Sequence, residues 1–137
     1  LLCILTVIHV GCKQSKNAIE TTMSEELSGS FKVITLDAEK LNSDFPTLVF
    51  SAKGNSVSGT TTCNSFFGSY SIVENNIIFG DLAVSEMYCA DPQIMKTEQR
   101  FLNALNEANT FVLKNNILTF YSKTTKKIVL TATKEIK

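Results

Sequence analysis

The sequence predicts a mainly β, α+β fold: antiparallel strands with one helix packed on the sheet. Two patterns carry the expectation. From Phe31 onward, short runs rich in Val, Ile, Thr, Phe and Tyr alternate with Asn, Gly and Ser, the signature of strands joined by hairpins. One later stretch, Asp91-Pro92 followed by Gln93 to about Asn109, instead repeats apolar residues at spacings of three and four with no internal Gly or Pro. At 137 residues, 44% hydrophobic and 19% charged, the chain holds one core and carries too little charge for disorder.

The strands follow in order as Phe31–Leu36, Thr47–Ala52, Ser56–Thr61, Phe66–Val73, Ile77–Leu82, Thr110–Lys114, Ile117–Ser122 and Lys127–Thr133. Asn75-Asn76 and Asn115-Asn116 are two-residue links that tolerate positive φ, and Gly54-Asn55 offers the same chemistry, so each is expected to close a tight hairpin. In the helix, Asp91 is an N-cap and Pro92 takes the first helical position, where its missing N–H costs nothing. Ile94, Met95, Phe101, Leu102, Leu105 and Ala108 form one apolar stripe that must pack against the sheet.

Residues 1–12 read as an address. Leu1 to Cys12 is charge-free and apolar but too short to span a bilayer as a helix, and with no initiator Met or basic region before it, it reads as the core of a truncated signal peptide. Gly11-Cys12 followed by Lys13-Gln14-Ser15-Lys16 resembles a lipobox, which implies that Cys12 becomes the lipidated first residue of the mature chain. Several acyl chains make such attachment stable where one does not. His9 departs from the apolar residue usual there, and the competing readings are an ordinary secretory signal or a buried amino-terminal strand. Residues 13–29 are polar apart from Ile19, Met23 and Leu27 and read as a tether, leaving 30–137 as the folded domain.

Much chemistry is set aside on composition. Lys plus Arg and Asp plus Glu both number 13, so no net field draws in nucleic acid. The single histidine, His9, leaves with the signal peptide, which removes Ser-His-Asp and Cys-His catalysts from the mature chain. Gly54 to Thr60 imitates the glycine spacing of a P-loop but lacks its Lys and a following helix. Glu86, Asp91 and Glu98 are acid–base candidates whose blander reading is a solvated loop or helix face. Cys63 and Cys89 remain for the mature fold; export favours a bridge between them, two buried thiols are the alternative, and neither has a neighbour at zinc-ligand spacing. Asn64 is suited to bond turn backbone, and Tyr70, Tyr88 and Tyr121 to pack on strands and loops or rim a mouth.

Val57-Ser58-Gly59-Thr60-Thr61-Thr62-Cys63-Asn64-Ser65-Phe66-Phe67-Gly68-Ser69-Tyr70 resembles the first block of the META domain family, the HslJ-like proteins, and Phe79 to Cys89 is similar to its second, with Glu98, Phe101, Leu102, Ala104 and Leu105 matching the helix that follows. Thr62 stands where the family places Gly, Ser85 where it places Thr, Glu86 where a basic residue is frequent, Tyr88 where a small residue stands, and Phe31 in place of an opening Trp. The resemblance covers about Ser30 to Thr133. It implies a sheet curled into a lipocalin-like β-barrel, no inherited catalytic residue, no cofactor and no metal. It also implies a cell-envelope protein, lipid-anchored in the outer membrane or periplasm of a Gram-negative bacterium, tied in some bacteria to heat shock and antibiotic tolerance. The expected partners are the membrane, through the anchor, and an envelope protein or small ligand; a lipocalin-like carrier of small apolar ligands is the alternative. The loop Val84–Pro92, with Ser85, Glu86, Met87, Tyr88 and Asp91 and tied by Cys89, is the expected binding face.

Overall fold

The computed structural model describes residues 22–136, so Cys12, expected as the lipidation site, and most of the stretch expected as a tether lie outside the described residues. Helix α1 occupies residues 22–27. It is followed by β1 (Gly29–Leu36), β2 (Glu39–Lys40), β3 (Thr47–Ser51), β4 (Ser56–Thr60), β5 (Ser65–Val73), β6 (Asn76–Phe79), β7 (Ala83–Val84), α2 (Pro92–Glu107), β8 (Ala108–Lys114), β9 (Ile117–Ser122) and β10 (Ile128–Lys134). The strands hydrogen-bond in the order β10-β9-β8-β6-β5-β4-β3-β1, and β1 pairs back onto β10, closing an antiparallel barrel. Closure joins the two outer edges, β1 and β10, that an open sheet would expose. The eight strands read from the sequence are the eight staves of this barrel; β2 and β7, two residues each, hang from β1 and β5.

Alternation decides which residues enter. Phe31 and Val33 point inward from β1, and a register shift between Val33 and Thr35 changes the parity so that Leu36 is the next buried residue. Rings fill the interior edge to face: Phe31–Phe50 at 5.9 Å, Phe50–Tyr70 at 5.3 Å and Phe79–Phe120 at 5.8 Å. Val57, Leu48, Ile77, Leu118 and Leu130 complete the same core. β3 and β4 approach so closely that a Cβ on Gly59 would collide with the Thr47 carbonyl, so the position requires glycine.

Two turns differ in detail from expectation. Asn115 (φ 51°) and Asn116 (φ 61°) close β8–β9 as anticipated. Between β5 and β6, however, Val73 pairs with Asn76, so the link is Glu74-Asn75 and Glu74 takes the positive φ of 58°. The buried pair Ile72↔Ile77 sets that register, and burial outweighs the turn preference of Asn. The β3–β4 link runs over residues 52–55, with Gly54 and Asn55 both at positive φ.

Of the stretch 13–29 expected as a tether, residues 22–29 belong to the folded body. Met23 and Leu27, four residues apart and so on one face of α1, meet the core, with Leu27 fully buried. Ser24 Oγ lies 3.0 Å from the Tyr70 hydroxyl and 3.2 Å from Asn55 Oδ1, and Lys134 Nζ donates to the Glu26 carbonyl. α1 thus closes one mouth of the barrel, at the start of β1 and the end of β10.

α2 closes the other mouth. Asp91 accepts from Gln93 N at 2.8 Å and Pro92 opens the helix, as the sequence predicts; the helix stops at Glu107, two residues short of Asn109, because Ala108 turns extended and enters β8. Phe101, Ala104 and Leu105 are buried, and Phe101 stacks at 5.6 Å on Phe66. On the far side Arg100 donates to the Leu36 carbonyl at 2.9 Å and pairs with Glu39 and, at 3.7 Å, with Asp37. The pairing is solvent-exposed and contributes little beyond orientation.

Candidate functional site

The residues between β7 and α2 form an exposed loop over the mouth that α2 closes, and two devices fix its path. Cys63, at the β4–β5 turn, is bridged to Cys89 with Cα atoms 6.1 Å apart, so of the two readings of these cysteines the bridge is the one found. The second device is Asn64. Its Oδ1 accepts from Met87 N at 2.7 Å and from Ser85 Oγ at 2.9 Å, while Nδ2 donates to the Met87 carbonyl at 3.3 Å. Ser65 N donates to Ser85 Oγ at 3.1 Å, adding a third tie. Asn64 was expected to bond turn backbone; it does bond backbone, but that of a loop 23 residues away.

Beneath Asn64 sits Glu98, which corrects its reading as part of a solvated helix face: it is 9% exposed. Glu98 Oε1 and Oε2 accept from Asn64 Nδ2 at 3.0 and 2.9 Å, Oε2 accepts from Asn64 N at 3.2 Å, and Thr61 Oγ1 donates to Oε2 as well. Each hydrogen-bond partner of the carboxylate among the described residues is a donor, the condition for burying a charge-bearing group at tolerable cost. Glu98 falls three residues before Phe101 and four after Ile94, within the apolar stripe, and that position was the available signal for its burial.

The expected loop residues divide by role. Ser85 and the main chain of Met87 are held by Asn64, and Asp91 is spent on capping α2. The side chains of Glu86, Met87 and Tyr88 face solvent, with Met87 58% and Tyr88 86% exposed. Tyr70, by contrast, is buried and bonded to α1, and Tyr121 is half-buried on β9. The loop therefore has a fixed backbone and free side chains. Among the described residues no cluster of His, Cys, Asp or Glu could hold a metal.

Thr62, between the tied residues Thr61 and Cys63, has φ 95°, and its buried Oγ1 has no hydrogen-bond partner among the described residues. A β-branched residue is strained there. The position fits the glycine of the first META block.

Fold and site define a small antiparallel β-barrel, closed at both mouths by helices and carrying a disulfide-stapled loop at one of them. The chain belongs to the META domain family, whose model matches residues 24–135. Its fold is shared by an NMR structure at 26% identity and TM-score 0.64, covering 80% of this chain and 92% of that one. A second NMR structure, of a protein from Burkholderia xenovorans, is 17% identical with TM-score 0.67, covering 99% of this chain and 100% of that one. The crystal structure of a DUF4847 family protein from Bacteroides vulgatus is 16% identical with TM-score 0.59, covering 82% and 98%. Comparison with curated proteins finds no match.

Proposed function

We propose that this META domain is a non-enzymatic, lipid-anchored module of the bacterial cell envelope, fixed to the membrane through Cys12 and presenting its stapled loop to an envelope protein or ligand during envelope maintenance or stress. The observation that carries the reading is the Cys63–Cys89 bridge, because disulfides form and persist in oxidising compartments such as the periplasm. The apolar run that ends at Gly11-Cys12 supports the same address from the sequence side. Recognition at the surface is supported by the packed interior, where rings and aliphatic side chains occupy the barrel.

The test is intact mass and membrane partition of the protein expressed from its full reading frame, beside Cys12→Ala. Membrane-bound product with acyl mass that the variant loses is the expected result; soluble, unacylated product overturns the anchoring.

A further inference from the structure

The barrel is joined most thinly between β6 and β8. They meet at the single pair Asn76↔Thr110, next to which Phe111 N donates to the Asn75 carbonyl at 3.1 Å. Asn109 and Ala108, the first residues of β8, stand beside Ile77 and Ile78, and past them the chain is α2, so β8 offers nothing to Phe79 and the residues after it. β7, further along the same side of β5, pairs through Phe66↔Val84 and Phe67↔Ala83 and with no other strand among the described residues. Residues 79–84 thus have β5 on one side and, among the described residues, no strand on the other. Glycine at position 68 lets this segment lie close on β5: a Cβ there would stand 2.6 Å from Leu82 Cδ2 and 2.9 Å from the Asp81 carbonyl.

α2 runs along the open edge at a distance. Two adjoining cavities of about 330 and 240 Å³ lie between them, sharing Phe79 and Asn106, with Leu82, Val84 and Leu102 lining the first and Ile77 the second. An unpaired strand edge facing a helix across a partly apolar groove accepts an extended chain, since the edge supplies backbone donors and acceptors and the groove takes alternate side chains.

We propose that this cleft is a peptide-binding groove, which takes an extended segment of a partner protein as an added strand along residues 79–84. At about 3.3 Å per residue the edge accommodates roughly six residues of peptide. Side chains entering beside Phe79, Leu82 and Leu102 are apolar. Each cavity carries a carboxylate, Asp81 in one and Glu107 in the other, against the single ammonium of Lys123, so the flanks of the peptide are basic. The groove is a feature of the barrel itself and does not depend on the anchoring of Cys12 or on the stapled loop.

The test is selection of a linear nine-residue peptide library, displayed on phage, against the mature chain bearing Cys12→Ser. Enriched peptides are then synthesised and titrated while backbone amide shifts are followed by NMR. The expected result is enrichment of sequences with alternating apolar residues and basic flanks, with saturable shifts and slowed amide exchange across residues 79–84. N-methylation of alternate peptide bonds should abolish binding by removing strand hydrogen bonds. Asn106→Trp, at an exposed helix position shared by both cavities, should weaken binding at least tenfold with amide shifts elsewhere unchanged. The proposal is overturned by no enrichment, by shifts confined to Met87 and Tyr88, or by N-methylated peptides that bind equally well. Shifts of the same amides with protein concentration alone would make the occupant a second copy of this chain, which also overturns it.

Discussion

Glu98 and Asn64, 34 residues apart, meet carboxylate to amide at 2.9 and 3.0 Å and couple α2 to the loop above it. The Asn64 side chain has two donor hydrogens and two acceptor sites, and all find partners in Glu98, Ser85 and Met87. Satisfied buried polar groups of this kind add modest net stability but are costly to break.

Glu98→Gln keeps the shape but places an NH₂ among donors. It is expected to cost about 2 kcal/mol in urea unfolding, with the disulfide intact. Amide exchange should accelerate at Ser85 and Met87 ahead of the barrel strands. An unchanged midpoint would show that the carboxylate is dispensable.

Thr62→Gly should stabilise. It removes a side chain from a φ of 95° together with a buried hydroxyl that has no partner among the described residues. A gain of about 1 kcal/mol, seen as a rise of a few degrees in Tm, is expected. A fall in Tm would mean that Oγ1 is bonded in solution.

Removing the bridge by Cys63→Ser with Cys89→Ser opens a loop with 26-residue separation. The loop-entropy relation puts the loss at about 3.5 kcal/mol. Calorimetry of the double variant against the oxidised protein measures it; a loss below about 1 kcal/mol would show that the unbridged chain already holds its ends together.

Tyr70→Phe keeps the ring in the core and deletes the contacts with Ser24 Oγ and, at 3.3 Å, with the Ser51 carbonyl. About 1 kcal/mol should be lost, with faster amide exchange at Leu27 and Ser28. Equal protection there in both proteins would show that Leu27 alone docks α1.

Tyr88→Ala and Met87→Ala should leave stability within about 0.5 kcal/mol of the parent, since both side chains face solvent. Under the proposed function their effect falls on partner binding alone, and a large drop in Tm in either variant would contradict the exposed placement of the loop side chains.

Staves such as β5 were legible because they alternate: inward Phe66, Tyr70 and Ile72 stand between outward serines and Phe67. β2 and β7 were not, since two residues hold no period and each is paired only through tertiary placement. α1 was hidden in a polar stretch whose Met23 and Leu27 are too few to announce a helix unless their spacing is weighed. In the site, the cysteines could be read from their number, and Asp91 from the proline after it. The partners of Asn64 and Glu98 could not, because a contact spanning 34 residues leaves no local trace beyond one glutamate on an apolar face.

The pairing of β1 with β10 also brings the ends of the folded body together, where Glu135 N donates to the Ser30 carbonyl at 2.8 Å. The described part of the chain is therefore nearly a ring, and its order of strands is one cut among several. Joining residue 136 to residue 22 through a short linker and reopening the exposed Thr124-Thr125 turn would preserve every strand pairing while moving both new ends to the opposite pole. Such a permutant, tethered by that pole, would hold the domain upside down with its sheet intact.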